Sequence, residues 1–132
     1  MIKGLNHITI SVNDLDKSFA FYTELLGMKP HAKWNQGAYL SIGELWFCLS
    51  CDKVLPSKDY SHIAFDVSAI NFPQLKSQLL SAGTELWKEN TSEGDSLYIL
   101  DPNGHKLEIH VGNLAKRLEC LKTKPYDGMH LY

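Results

Sequence analysis

Two periods of apolar and polar positions alternate along this chain, and the switches between them outline its elements. Residues 5–12 alternate, with Leu5, His7, Thr9 and Ser11 on one face and Asn6, Ile8, Ile10 and Val12 on the other, which predicts a strand. Asn13 or Asp14 is placed to cap a helix whose Leu15, Phe19, Tyr22 and Leu26 recur at helical spacing until Gly27 stops it. Residues 33–40 and 44–49 read as two strands around Ser41, Ile42 and Gly43, rich in the aromatics Trp34, Tyr39, Trp46 and Phe47. A polar connection follows, with Pro56, Ser57, Lys58 and Asp59, and then the plan begins again. In the strand at 61–67, His62 and Ile63 answer His7 and Ile8. The helix from Phe72 through Leu75 and Leu79 to Gly83 answers the first, with Asn71 and Gln74 read as a cap and its partner. Residues 97–100 and 106–111 are strands flanking Asp101, Pro102, Asn103 and Gly104, a sequence with hairpin-turn chemistry.

The spans from His7 to Gly27 and from His62 to Gly83 differ in length by a single residue, so the chain reads as a tandem duplication. The predicted fold class is α+β: one domain over residues 1–132, made of two βαβββ units at about 1–55 and about 56–112. Residues 113–132 supply a third short helix, with Leu114, Leu118 and Leu121 on one side and Arg117 beside them, and an irregular tail.

Composition narrows the function. A net charge of -2 offers no field for nucleic acid or an anionic membrane, so an anionic ligand has to be caught by local cations. No apolar run is long enough to span a bilayer and the start lacks the layout of a secretion signal, which points to the cytoplasm. Cys48, Cys51 and Cys120 are an odd set without a second pair to complete a zinc site, and read as reduced structural thiols.

Period-two alternation sends Lys106, Glu108 and His110 to one face of the last strand, where a carboxylate in mid-strand needs a cation. His7 and His62 occupy equivalent points of equivalent strands, which pseudo-two-fold packing of the units would bring together. Two imidazoles and a carboxylate form a divalent-metal set with positions left open for substrate. A single histidine near a strand start is more often structural, and the repeat is what makes this pair harder to dismiss. Counted from Gly43 as from Gly104, the place matching Glu108 falls at Phe47, and His110 is the substitute ligand. His31, His105 and His130 fall in loops or the tail and read as solvated. The polar run 90–96 is either a solvated turn or a loop of oxygen donors for a monovalent cation. Lys88, Ser92, Ser96, Tyr98 and Arg117 are either surface groups or donors to an anionic substrate.

These residues together resemble a known family. Asn6-His-Ile-Thr9, the Phe21-Tyr-x-x-Leu-Leu-Gly27 helix end, Trp34-Asn-Gln-Gly-Ala-Tyr39, Leu45-Trp-Phe-Cys-Leu49, Asn90-Thr-Ser-Glu-Gly-Asp-Ser96 and Asp101-Pro-Asn-Gly-His-Lys-Leu-Glu108 are similar to segments of the fosfomycin-inactivating glutathione transferases of the vicinal-oxygen-chelate superfamily. The resemblance implies cupped mixed sheets paired in a domain-exchanged homodimer that holds Mn²⁺ through His7 of one subunit and His62 and Glu108 of the other. It further implies K⁺ at Asn90, Ser92, Glu93, Gly94 and Ser96. Fosfomycin would lie against Thr9, Trp46, Lys88, Ser92, Ser96, Tyr98 and Arg117, and the cosubstrate glutathione against Trp34, Gln36 and Tyr39, with Tyr39 assisting thiol ionisation. Thr9, Tyr39, Lys88 and Arg117 are the implied catalytic groups. Three alternatives stay open on the same scaffold: hydrolysis of the epoxide, with Glu44 as a possible base; transfer of another thiol; or drug binding without chemistry.

Overall fold

The computed structural model describes residues 1–132. The first alternating stretch forms β1 (His7–Val12), and the Asp14 side chain accepts from the Lys17 N–H at 3.1 Å to start α1 (Leu15–Ala20). The helix does not run unbroken to Gly27 as its spacing suggests. From Phe21 to Leu25 it widens into a π turn, with the Leu26 N–H bonded to the Phe21 carbonyl, before Gly27 ends it at φ 77°. Three strands follow, as a βαβββ unit requires, although the pattern locates only two of them: β2 (Lys29–Trp34), β3 (Gly37–Ile42) and β4 (Leu45–Cys51). The expected strand at 33–40 is broken by Asn35 and Gln36. At Gly37 an added Cβ would lie 2.6 Å from the Leu49 carbonyl, so only glycine fits where β3 begins. β2 itself gave no signal, because it is an edge strand exposed at every position and shows no alternation.

The second unit has the same plan, with β5 (Ile63–Asp66), α2 (Phe72–Ser81), β6 (Leu86–Lys88), β7 (Ser96–Leu100) and β8 (Lys106–His110). The sheets run β1-β4-β3-β2 and β5-β8-β7-β6, with the β1/β4 and β5/β8 pairs parallel and the rest antiparallel. The α2 cap differs from expectation. Asn71 makes no side-chain cap bond, and Ser68 takes the role, its hydroxyl accepting from the Asn71 N–H at 3.2 Å and its carbonyl from the Phe72 N–H at 3.0 Å. Asn113 caps α3 (Leu114–Thr123), on which Leu121 is buried while Leu114 and Leu118 are exposed. No helix is long and apolar enough to cross a membrane.

The apolar faces of both sheets enter one core, in which Phe47 of the first unit meets Phe65 of the second at 6.0 Å between ring centroids. The Asp101 turn is part of this joint. Its buried carboxylate accepts from the backbone N–H groups of Asn103 and His105, from the Asn103 amide, and from the Tyr22 hydroxyl at 2.7 Å. His105, expected in solvent, instead bonds the Ser11 carbonyl at 2.7 Å. With the apolar faces turned inward, the polar alternates of β1, β4, β5 and β8 are left for function.

Candidate metal and anion site

β8 is the spine of the site. Its alternation buries Leu107 and Ile109 in the core and turns Glu108 to the other face, where only 7 % of the residue is exposed. β8 pairs with β5 and β7, so Ala64, Glu108 and Tyr98 share one row, and Lys88 extends it by pairing with Tyr98. A carboxylate this buried costs several kcal/mol unless it is compensated. Two histidines and a serine do so: His62 Nε2 lies 3.0 Å from Oε1, while the Ser96 hydroxyl donates to Oε2 at 2.6 Å and His110 Nδ1 is 3.2 Å from the same oxygen.

The hydrogen-bonding roles suit this pair to a cation. His62 Nδ1 lies 2.8 Å from the Tyr60 carbonyl, which can only accept, so Nδ1 carries a hydrogen and Nε2 is the nitrogen turned toward the carboxylate. Nε2 and the carboxylate oxygen are 3.0 Å apart, a separation bridged by a proton or a metal ion. The donor set therefore fits a divalent metal. His110 is built differently. The Ser96 hydrogen goes to Glu108, so His110 Nδ1–H donates to the Ser96 oxygen at 2.6 Å, and the ring supports the carboxylate from behind.

His7 lies on the other sheet, exposed at the start of β1, with its Nδ1 on the Asn6 side chain at 2.7 Å and its ring 4.5 Å from Trp46. The expectation that the two units would bring His7 to His62 is not met within one chain, where no three His, Cys, Asp or Glu side chains form a metal-holding group. What surrounds His7 is an aromatic row: Trp34 packs edge-on to Tyr39, and Tyr39 edge-on to Trp46, all partly exposed. Thr9 pairs with Cys48 on the same face, and Gln36 sits in the turn before β3, its carbonyl accepting from the Cys51 N–H. The position matching Glu108 also needs correction. Ile8 pairs with Phe47 as Ile63 pairs with Leu107, so Glu108 corresponds to Cys48 and not to Phe47. Counting from the glycines slipped because a tight turn joins β3 to β4, whereas five residues separate Leu100 from Lys106.

The loop at 90–96 is internally tied. Asn90 accepts from the Ser92 N–H and hydroxyl and donates to the Gly94 carbonyl at 2.8 Å, and an added Cβ at Gly94 would meet the Val111 carbonyl at 2.7 Å. The Glu93 carboxylate accepts from Arg117 Nε at 2.9 Å, and this bond holds the guanidinium above its ordinary pKa. Lys88 is raised too, first by donating to the Tyr60 hydroxyl at 2.6 Å, and its ammonium lies 4.6 and 4.9 Å from the centres of the Tyr60 and Tyr98 rings. Tyr60 and Trp87, whose rings pack together and against His62, went unnoticed in the sequence, although Tyr60 stands two residues before a candidate ligand. Cavities of about 320 and 610 Å³ lie against α2 and beside the Asp101 turn and are lined by none of the candidate residues.

Comparison with known proteins supplies the family. Residues 4–109 match the model for the Glyoxalase/Bleomycin resistance protein/Dioxygenase superfamily. The chain is 53% identical to glutathione transferase FosA of Serratia marcescens, covering 98% of this chain and 95% of that one. It is 35% identical to metallothiol transferase FosB of Lysinibacillus sphaericus, over 93% and 92% of the two chains. Among solved structures, the fosfomycin resistance protein FosX of Listeria monocytogenes complexed with Mn(II) and sulfate superimposes with a TM-score of 0.82 at 30% identity, covering 91% of this chain and 98% of that one. A FosX variant complexed with Mn(II) and a dihydroxypropylphosphonic acid gives 0.80 at 29% identity, covering 90% and 99%.

Proposed function

The chain belongs to the glyoxalase/bleomycin resistance protein/dioxygenase superfamily, and on that premise we propose that it is a metal-dependent transferase joining the thiol of glutathione to the epoxide of fosfomycin. The observation that carries the reading is His62 Nε2 facing a buried carboxylate across 3.0 Å. The ligands proposed for Mn²⁺ are His62 and Glu108 of one chain and His7 of a second, which makes the working unit a homodimer. The exposed Leu114 and Leu118 on α3 suit such a partner. When bound, the metal supplies Lewis acidity to the epoxide oxygen.

The remaining roles fall to the chain's own groups. Glu108 is fixed by Ser96 and His110, so it meets its cation without reorganising. Lys88 and Arg117 offer positive charge to the phosphonate, with Thr9, Ser92 and Tyr98 as hydroxyl donors and Trp46 as a wall, while Ser96 beside them keeps its hydrogen on Glu108. Offsetting that charge matters because a phosphonate dianion would repel an incoming thiolate. Trp34, Gln36 and Tyr39 are proposed to seat glutathione, with the Tyr39 hydroxyl stabilising the thiolate. Asn90, Ser92, Glu93, Gly94 and Ser96 are proposed to hold K⁺, which their hard oxygen donors suit. The nucleophile comes with the cosubstrate, so Cys48, Cys51 and Cys120 need not react.

The test is product analysis. Metal-stripped protein mixed with fosfomycin and glutathione should form the glutathione adduct only after Mn²⁺ is restored, with K⁺ increasing the yield. A diol in place of the adduct would assign hydrolysis instead, and no product with any thiol would overturn the transferase reading.

A further inference from the structure

The connection between the two units is polar and without period, yet it is pinned at several points. Lys106 Nζ donates to the carbonyls of Ser57 and Asp59, and its ammonium lies 5.6 Å from the centre of the Trp87 ring. The Asp59 carboxylate accepts from the Ser57 hydroxyl and, at 2.8 Å, from the Ser61 N–H, bonds that hold its pKa down at about 2. A segment tied at both ends in this way delivers the next side chain to a fixed place, and that side chain is Tyr60. Its ring packs on Trp87 at 5.7 Å and on His62 at 5.0 Å, and its hydroxyl oxygen accepts from Lys88 Nζ at 2.6 Å.

We propose that Tyr60 is a positioning residue for anion binding: its ring and that of Tyr98 hold the Lys88 ammonium beside the Glu108 row, and its hydroxyl oxygen fixes the direction of one Lys88 N–H. The proposal rests on reading Lys88 as a phosphonate-binding group. A lysine on a four-carbon stem otherwise samples many rotamers, and ordering it at the moment of binding costs conformational free energy. Tyr60 places that ordering before the ligand arrives. Of three ammonium donors one is used by Tyr60, which leaves two for an oxyanion, and the phenol hydrogen is free to follow them. The Tyr60 carbonyl separately sets the His62 tautomer, so a side-chain change leaves the metal ligand in place.

The experiment compares wild type with Tyr60→Phe and Tyr60→Leu in four measurements. Without ligands, acetic anhydride labelling of Lys88 is followed by peptide mass spectrometry. With Mn²⁺ added, affinity for methylphosphonate is measured by calorimetry, alongside Mn²⁺ affinity and melting temperature as controls. Tyr60→Phe should label faster at Lys88 and weaken methylphosphonate binding roughly three- to tenfold, and Tyr60→Leu should weaken it further, with both controls unchanged. Wild-type labelling rates in Tyr60→Phe would overturn the proposal, as would methylphosphonate affinity retained in both variants or absent in wild type. A wild type that binds methylphosphonate but forms no glutathione adduct would remove the proposed reaction and leave the Tyr60 role standing.

Discussion

The two βαβββ units share topology and register, yet only one of them carries a buried charge on its polar face. His62, Ser96, Tyr98, Glu108 and His110 in the second unit correspond by register to His7, Gly37, Tyr39, Cys48 and Ser50 in the first, and Ala64 answers Thr9. The histidine and the tyrosine are kept, whereas the carboxylate and its supports are replaced by small neutral groups. Duplication thus provides the same cupped frame twice, and the substitutions divide the labour. The second unit carries the buried carboxylate, its histidines and the Lys88 and Arg117 cations. The first offers an aromatic surface and one imidazole.

The strongest way to break that division is to treat Glu108 and Cys48 alike. Glu108→Ala should lower metal-dependent turnover by at least about a hundredfold, since even groups behind a ligand cost ten- to a hundredfold when removed. Cys48→Ala should stay within a few-fold of wild type. Equal losses measured by steady-state kinetics would show that the units are not divided as the register suggests. Complementation sharpens the point. His7→Ala and Glu108→Ala chains, each inactive alone, should regain activity when refolded together, because one shared site then receives intact ligands from both chains. Persistent inactivity of mixed dimers would exclude a site divided between subunits.

A smaller effect belongs to His110 and its counterpart Ser50. His110→Ala removes the donor behind Ser96 and Glu108, so Mn²⁺ affinity read by calorimetry should fall about ten- to a hundredfold. Ser50→Ala should leave it unchanged. An unaltered affinity in His110→Ala would make that histidine a packing residue.

The division was partly legible in the sequence. Glu108 announced itself because period-two alternation put a carboxylate on a strand with apolar neighbours, and the repeat matched His62 to His7. The counterpart of Glu108 falls at Phe47 by counting from the glycines, one residue short of Cys48, because register depends on loop geometry, which such counting ignores. β2 was missed since an exposed edge strand has no reason to alternate, and the π turn since one added residue hardly disturbs an apolar stripe. Tyr60 and Trp87 escaped for another reason. Their meaning comes from partners distant in sequence, Lys88 and Leu107, whose carbonyl accepts from the Trp87 ring nitrogen at 2.9 Å.

The sequence marks Asp101 only as a turn residue, although it ties the two units together. The corresponding turn of the first unit, at Gly43 and Glu44, has no such bond to the second, so the joint is as one-sided as the chemistry. Tyr22→Phe removes one of the donors to a buried carboxylate and should cost about 1–3 kcal/mol of stability while leaving turnover of the folded protein near wild type. The pH dependence has a definite sign. Burial, and then the Asp101 charge, raise the Tyr22 pKa above its ordinary 10.0, so the folded state keeps a proton that the unfolded state loses. Stability from this pair is therefore full below pH 10 and declines as pH rises beyond it. Thermal melts of wild type should fall across that alkaline range more steeply than those of Tyr22→Phe. Parallel profiles would mean that the hydroxyl adds packing to the joint and no proton-linked stability.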